Sequence, residues 1–225
     1  MASSAPINRP TLVIGNKNYS SWSLRPWLAM KQAGIDFEEI RVPLYDDGSK
    51  QRLLQYSPSG KVPVLIDGDY TVWDSLSICE YLAEMHPSLG LWPQHAKTRA
   101  LARSVSAEMH SGFTSLRHYM SMNIRKDYAG KGMGAGVADD IARVSAIWED
   151  CRARFGAEGA FLFGRFSIAD AMYAPVVTRF ATYGVALPAT LRPYLETMLE
   201  LPAMQAWIAA AKAEAESIPD ADIYG

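Results

Sequence analysis

Residues 57–75 read SPSGKVPVLIDGDYTVWDS and carry most of the information about the fold of the first half of the chain. Two runs rich in β-branched residues flank the turn formers Asp67-Gly68-Asp69, a pattern typical of a β-hairpin. Apolar residues then recur with helical spacing from position 76 until the chain reaches Pro87. The stretch therefore predicts a hairpin followed directly by a helix that begins near Asp74-Ser75.

The residues upstream of this stretch predict a strand, a helix and a second strand. Thr11–Ile14 is a β-branched run closed by Gly15, residues 24–31 repeat with helical spacing, and residues 35–42 alternate between apolar and polar. Strand, helix and strand together predict a parallel crossover unit. The order is β-α-β followed by β-β-α, and a sheet of this kind places its ligand at the carboxyl ends of strands and the amino ends of helices.

Pro63 lies inside the first predicted strand of the hairpin, where a residue without an N–H does not fit a sheet interior. The local sequence leaves two interpretations open. A trans proline would place this segment at an edge or a turn, and cis bonds are only ~5–6% of X–Pro bonds. A cis Val62–Pro63 bond would instead turn the backbone of Val62 outward to pair with an extended ligand.

Composition excludes several classes of protein. The 225 residues include 22 Lys plus Arg and 24 Asp plus Glu, so the net charge of −2 predicts neither a nucleic-acid partner nor a membrane partner. Two distant cysteines, Cys79 and Cys151, and the lack of a long apolar run predict a soluble, cytoplasmic protein. The four histidines show no paired metal-binding spacing, so no metal is expected.

The second half of the sequence predicts helices alone. Beyond a linker at about 86–93, β-branched runs disappear, so we expect an α/β domain at residues 10–86 and an all-helical domain at residues 94–216. Phe166-Ser167-Ile-Ala-Asp170 predicts a capping box in which Asp170 reaches back to Ser167. The predicted helices span residues 94–125, 137–154, 167–183, 192–199 and 202–215.

Three segments carry a resemblance to a known family: Ser20-Ser-Trp-Ser-Leu-Arg25, Ser57-Pro-Ser-Gly-Lys-Val-Pro63 and Asp74-Ser75. Together they resemble the glutathione-binding half of a cytosolic glutathione S-transferase of the serine type, closest in spacing to the zeta and tau classes. The resemblance implies a thioredoxin-like first domain and a helical second domain. It also implies a cis bond before Pro63 and a homodimer, with glutathione and a small electrophile as substrates.

The resemblance gives Ser20 the catalytic position, with Ser21 as the alternative donor. A free thiol has a pKa near 8.5, so only a small fraction of glutathione is nucleophilic thiolate at neutral pH. A hydroxyl that donates to the anion contributes ~1.5–3 kcal/mol, which lowers the thiol pKa by roughly one to two units. The positive end of the first helix would add about 0.3–1 kcal/mol.

The same resemblance implies the remaining contacts. Ser75 and the first-turn N–H groups of its helix would receive the γ-glutamyl carboxylate, Asp74 would face the ammonium, and simple helix capping is the alternative role for this pair. Val62 and Pro63 would pair with the peptide backbone of glutathione, and Lys50 or Lys61 would neutralise its glycine carboxylate. Candidate residues of the electrophile pocket are Met109, Phe113, Arg117, Tyr119 and Met120. Arg25 is expected to pair with a carboxylate or to cap backbone groups.

Two other functions stay open at this point. A zeta-like protein of the maleylacetoacetate type would use glutathione for cis–trans isomerisation. Trp22 stands where the zeta pattern has a cysteine, and Pro26-Trp27 replaces the usual valine-arginine. A binding or regulatory protein would keep the fold without turnover.

Overall fold

The computed structural model describes residues 9–225, and its first part is built on one four-stranded sheet. Strand β1 pairs in parallel with β2 and antiparallel with β3, and β3 pairs antiparallel with β4, so the spatial order is β2-β1-β3-β4. The strands are β1 (Thr11–Ile14), β2 (Glu38–Arg41), β3 (Val64–Asp67) and β4 (Tyr70–Trp73), and the helices are α1 (Ser21–Gln32), α2 (Ser49–Leu54) and α3 (Ser75–Met85). The β-α-β, β-β-α order and the thioredoxin-like class of this part are confirmed.

Alternation along β1 separates two apolar layers. Leu12 and Ile14 face the main core together with residues of α1 and α3, whereas Val13 belongs to a smaller cluster on the opposite face that includes Leu53 of α2. Successive side chains of a strand point to opposite faces, so a short run of apolar residues fills both layers. The helices on the first face carry the amino ends that the sequence analysis assigns to the ligand.

Two strands are shorter than their sequence pattern predicts. The first hairpin strand begins at Val64, directly after Pro63, because a residue without an N–H cannot extend the ladder. Strand β2 occupies only Glu38–Arg41 of the alternating residues 35–42. Neither difference changes the topology of the sheet.

The second part of the structure consists of helices. They are α4 (Ala96–Ser111), α5 (Thr114–Tyr119), α6 (Val137–Phe155), α7 (Ile168–Tyr183), α8 (Arg192–Glu200) and α9 (Pro202–Ala213). The predicted capping box is present at the start of α7, where Ser167 N donates to Asp170 Oδ2 at 2.9 Å. All residues of α7 except Ala181 are buried, because the helix packs against both α1 and α4 and so joins the two parts of the chain.

The prediction of one helix over residues 94–125 is wrong. Helix α4 ends at Ser111, and after Gly112 and Phe113 the chain continues as the short helix α5. Gly112 is extended, and a Cβ there would lie 2.8 Å from the carbonyl oxygen of Glu108. Phe113 has φ of 56°, which ends the regular α-helical path. Apolar spacing continues across this break, so periodicity alone did not reveal it.

Within residues 9–225 no helix is both long enough and apolar enough to cross a membrane.

Candidate functional site

Ser20 is the residue that immediately precedes α1. Its backbone N–H donates to the carbonyl of Asn16 at 2.8 Å, and its own carbonyl accepts from Leu24 N at 3.2 Å. The hydroxyl is therefore held at the amino end of α1, beside N–H groups that have no partner within the helix. The helix dipole makes this end favourable for a negative charge.

Ser23 links the Ser20 hydroxyl to the backbone. The Oγ atoms of Ser20 and Ser23 lie 2.7 Å apart, and Ser23 Oγ accepts from Gly15 N at 3.1 Å. Either hydroxyl can donate in this contact, and when Ser23 donates to Ser20 Oγ the proton of Ser20 is not used in it. Ser20 can then direct its own proton toward an anion. Ser23 was not among the predicted site residues, although its i, i+3 spacing from Ser20 indicates the contact.

Residues of the two other matching segments lie around one cavity of about 540 Å³. The Val62–Pro63 bond is cis, which is the alternative that the resemblance implied. Five of the predicted glutathione contacts line this cavity: Lys61, Val62, Pro63, Asp74 and Ser75. They come from the segment that precedes β3 and from the amino end of α3. Because β3 runs antiparallel to β1, the start of β3 lies beside the carboxyl end of β1, which is the expected edge of the sheet.

The cavity has three further lining residues that sequence reasoning missed: Trp22, Ser59 and Trp73. Trp73 is the last residue of β4 and is 46% exposed, an unusual position for so large an apolar side chain. Trp22 lies two residues after Ser20 and brings α1 to the cavity wall. An exposed aromatic residue next to a predicted binding motif was the available signal for Trp73.

Asp74 connects the two parts of the chain at the cavity. Its Oδ1 accepts from Leu76 N at 2.9 Å and from Ser77 N at 3.3 Å, so the predicted capping role is confirmed. Its Oδ2 lies 3.1 Å from Nε2 of His110 in α4. Burial lowers the pKa of His110, with Asp74 acting in the opposite direction. The lowered pKa favours the neutral imidazole, and a neutral donor adds no positive charge beside Asp74.

Arg25 lies behind Ser75 and is 1% exposed. It makes no ion pair among the residues that the structure describes, so the predicted carboxylate pairing is wrong. Instead Arg25 Nη1 donates to Ser75 Oγ at 3.5 Å, and the guanidinium lies 4.2 Å from the centre of the Trp22 ring. Burial, together with Arg179 and Arg117, lowers the pKa of Arg25 to about 9, so it remains a cation at neutral pH.

Other predicted site residues lie outside the cavity lining. Ser20 and Ser21 are 6% and 9% exposed, and Lys50 lies on the exposed surface of α2. Met109 and Met120 are at most 1% exposed and pack in the main core with Phe113. Arg117 is partly exposed and lies 5.4 Å from the Trp22 ring centre, and Tyr119 packs against the core. A role of these residues in binding the electrophile therefore stays a prediction.

Cys79 is a core residue rather than a nucleophile. Its side chain is completely buried, and burial raises the pKa of its thiol to about 12. Among residues 9–225, no three side chains of His, Cys, Asp or Glu group together in a way that could hold a metal ion.

Comparison with known proteins gives two family matches. The model of the glutathione S-transferase N-terminal domain matches residues 19–85, and that of the glutathione S-transferase C-terminal domain matches residues 111–210. The glutathione S-transferase zeta class of Euphorbia esula is 26% identical over 219 residues, which cover 91% of this chain and 93% of that protein.

Other relatives align over shorter segments. The maleylacetoacetate isomerase of Rattus norvegicus is 37% identical over 114 residues, which cover 49% of this chain and 51% of that protein. That protein and four other relatives, of which three also carry the name maleylacetoacetate isomerase, align over only 51 to 58% of their own length. Among solved structures, a glutathione transferase homolog from Burkholderia gl BGR1 with bound glutathione has a TM-score of 0.70 at 24% identity, over 92% of this chain and 100% of that chain. This likeness shows the fold.

Proposed function

The chain belongs to the glutathione S-transferase family, and we propose that it binds glutathione, activates it as the thiolate and adds it to a small electrophile. The observation that carries this proposal is the hydroxyl of Ser20, which lies at the amino end of α1 and 2.7 Å from Ser23 Oγ. A donor in this position stabilises a thiolate by a charge-assisted hydrogen bond. The helix dipole acts in the same direction.

The cavity supports the binding half of the proposal. Ser75 and the first N–H groups of α3 receive the γ-glutamyl carboxylate, with the Arg25 guanidinium behind Ser75. Asp74 faces the ammonium, and the backbone of Val62 pairs with the cysteinyl residue of the tripeptide. Lys61 neutralises the glycine carboxylate, and Lys50 is the alternative cation. The Burkholderia neighbour was solved with glutathione bound, which supports glutathione as the ligand.

The acceptor side and the assembly are also proposals. The electrophile lies beside Trp22 and Arg117, where α1 meets the helical part of the chain, with Phe113 as a further candidate residue. Met109 and Met120 contribute from the core behind this surface. We further propose a homodimer in the cytoplasm, as is typical of the family, with a role in detoxification.

A second reaction is favoured by the relatives whose printed name is maleylacetoacetate isomerase. In that reaction the glutathione thiolate would add to a cis double bond, allow rotation and then leave. The addition step uses the same Ser20 donor, so both reactions share the first half of the mechanism. The aromatic Trp22 stands where the zeta pattern has a cysteine, which argues against the isomerase.

Titration of the bound thiol tests the proposal. Absorbance of the thiolate is followed against pH for glutathione bound to wild type, Ser20→Ala and Ser21→Ala. We expect a thiol pKa roughly one to two units below 8.5 in wild type and a return toward 8.5 in Ser20→Ala. Binding without a lowered thiol pKa would identify a non-catalytic glutathione-binding protein, and loss of the effect only in Ser21→Ala would transfer the donor role to Ser21.

A further inference from the structure

Residues 16–19 form the loop that leads directly into Ser20, and this loop forms hydrogen bonds with residues near the C-terminus. We call residues 214–222, which follow α9, the C-terminal strap. The strap lies against the loop although about 200 positions separate them in sequence. Neither segment belongs to a helix or strand, so side-chain contacts determine their relative position.

Glu214 contacts the loop backbone with both carboxylate oxygens. Oε1 accepts from Lys17 N at 2.7 Å, and Oε2 accepts from Asn18 N at 3.0 Å. The Glu214 side chain is 6% exposed. Two consecutive N–H groups on one buried carboxylate restrain both the position and the direction of the loop, because charge-assisted bonds are short and strong.

Arg125 adds contacts to the loop and to the strap. Its backbone N donates to Asn18 Oδ1 at 2.8 Å, and its Nη2 donates to Tyr19 Oη at 2.7 Å. The same guanidinium donates to the carbonyls of Glu214 and Glu216 at 2.5 and 2.6 Å. A single cation from the helical part therefore ties the residue before Ser20 to the backbone of the strap.

The last part of the strap completes the network. Tyr19 Oη donates to Asp222, at 3.1 Å from each carboxylate oxygen, and Asn123 Nδ2 donates to Asp222 Oδ1 at 2.6 Å. Asn18 Nδ2 donates to Asn123 Oδ1 at 2.9 Å. The side chains of Asn18 and Tyr19 therefore form hydrogen bonds with residues of the second part of the chain.

We propose that Glu214, with Arg125 and the C-terminal strap, is a positioning element that sets the place of the Ser20 hydroxyl for thiol activation. The inference rests on the proposed function. A rigid frame matters here because a donor about 1 Å out of place loses much of its effect on an anion. All of the cavity residues except Trp22 lie between positions 59 and 75, outside this network, so glutathione affinity should be nearly independent of the strap.

The test compares two neighbouring carboxylates that share a partner. Glu214 and Glu216 both approach Arg41, at 3.5 and 2.7 Å, but only the side chain of Glu214 accepts from the loop. Glu214→Gln and its control Glu216→Gln therefore each remove one negative charge from beside Arg41, the first from a side chain that is 6% exposed and the second from one that is 34% exposed. For both variants and wild type we would measure the thiol pKa of bound glutathione, the glutathione dissociation constant, and hydrogen exchange of the Lys17 and Asn18 amides.

We expect Glu214→Gln to raise the thiol pKa by about 0.5 unit, which is about a threefold fall in the acidity constant of the thiol, and to change the glutathione dissociation constant by less than about threefold. Both amides should exchange at least about tenfold faster than in wild type. Glu216→Gln should match wild type in all three measurements. Equal thiol pKa values in the two variants would overturn the inference and leave the proposed function intact, whereas a wild-type thiol pKa near 8.5 would overturn both.

A second pair of variants covers the case in which Glu214→Gln does not fold. Tyr19→Phe removes only the hydroxyl that contacts Arg125 and Asp222, and Tyr81→Phe removes a hydroxyl that donates to Asp67 near the hairpin. The inference predicts a raised thiol pKa in Tyr19→Phe alone. An unchanged value in Tyr19→Phe would contradict it.

Discussion

At the scale of single residues, the position of the Ser20 hydroxyl depends on the hydrogen bonds that it shares with its neighbours. Ser20 Oγ shares a hydrogen bond with Ser23 Oγ, which also accepts from the buried N–H of Gly15. Gly15 leaves room for this arrangement, since a Cβ there would lie 2.5 Å from Leu44 Cδ1 and 3.2 Å from Ser20 Cβ. The three residues therefore operate as one unit, although only Ser20 would contact the substrate.

Ser23→Ala tests this unit. The buried Gly15 N–H loses its acceptor, so the free energy of unfolding should fall by about 1–3 kcal/mol. The thiol pKa of bound glutathione should rise by about 0.5–1 unit, because Ser20 Oγ loses the partner that orders its proton. Urea unfolding and thiolate absorbance measure the two effects. Ser104→Ala, which removes an exposed hydroxyl bonded within α4, is the control and should change neither.

At the scale of elements, the capping box of Ser167 and Asp170 begins the buried helix α7. Asp170 accepts from Ser167 N and Leu162 N, at 2.9 and 3.0 Å, and from Tyr194 Oη at 3.2 Å. Burial nevertheless raises the pKa of Asp170 from 3.8 to about 6, against the lowering effect of these hydrogen bonds. The helix start is thus held by a carboxyl group whose charge is costly to bury.

This shift predicts a pH dependence of stability. The folded pKa of Asp170 lies above the unfolded value, so the folded protein binds this proton more tightly. Between about pH 6 and pH 4 the group then adds stability as pH falls, by on the order of 3 kcal/mol in total. Subtracting the pH profile of Asp170→Asn from that of wild type, both by urea unfolding, isolates this contribution. Parallel profiles would contradict the prediction.

The break between α4 and α5 is the element that the sequence pattern failed to reveal. Gly112 alone is a weak signal, because an isolated glycine is tolerated within helices at a cost of only ~1 kcal/mol. The residue type of Phe113 does not predict its left-handed backbone conformation. Packing of α5 against α6 accompanies the break, and Leu116 N donates to Asp140 Oδ2 of α6 at 2.8 Å.

At the scale of the whole molecule, the two parts share one hydrophobic core. Leu24 and Leu28 of α1 belong to the same buried cluster as Val176 and Phe180 of α7. Trp207 of α9 packs edge-on against Trp27 at 5.0 Å between ring centres, and its Nε1 donates to the carbonyl of Lys17 at 3.0 Å. Separate unfolding of either part would expose this shared surface, which opposes independent domain behaviour.

We therefore expect a single cooperative unfolding transition. Far-UV circular dichroism and tryptophan fluorescence should give coincident urea midpoints, because unfolding of either part exposes the core that the two parts share. Trp207→Phe should lower both midpoints together, with a loss of about 1–2 kcal/mol from packing and one hydrogen bond. Two separated transitions would show that the parts unfold independently.

Local pattern was sufficient for most of the elements, and the resemblance predicted five of the eight residues that line the cavity. Alternation predicted the strands, helical spacing predicted most helices, and cap residues marked their starts at Asp74 and Ser167, since each of these signals acts over a few residues. The segments that line the cavity are also contiguous motifs, so the resemblance identified Lys61 to Pro63 and Asp74-Ser75 together. Glutathione binding was therefore predictable from the sequence as a hypothesis.

Only the folded chain decides what surrounds these motifs. The pairing of Glu214 with Lys17 and Asn18, the approach of Arg117 to the Trp22 ring, and the contact of His110 with Asp74 join residues that are distant in sequence. Such contacts depend on how helices of the second part pack against the first, and packing sums many weak interactions over the whole core. No short stretch of sequence encodes that sum.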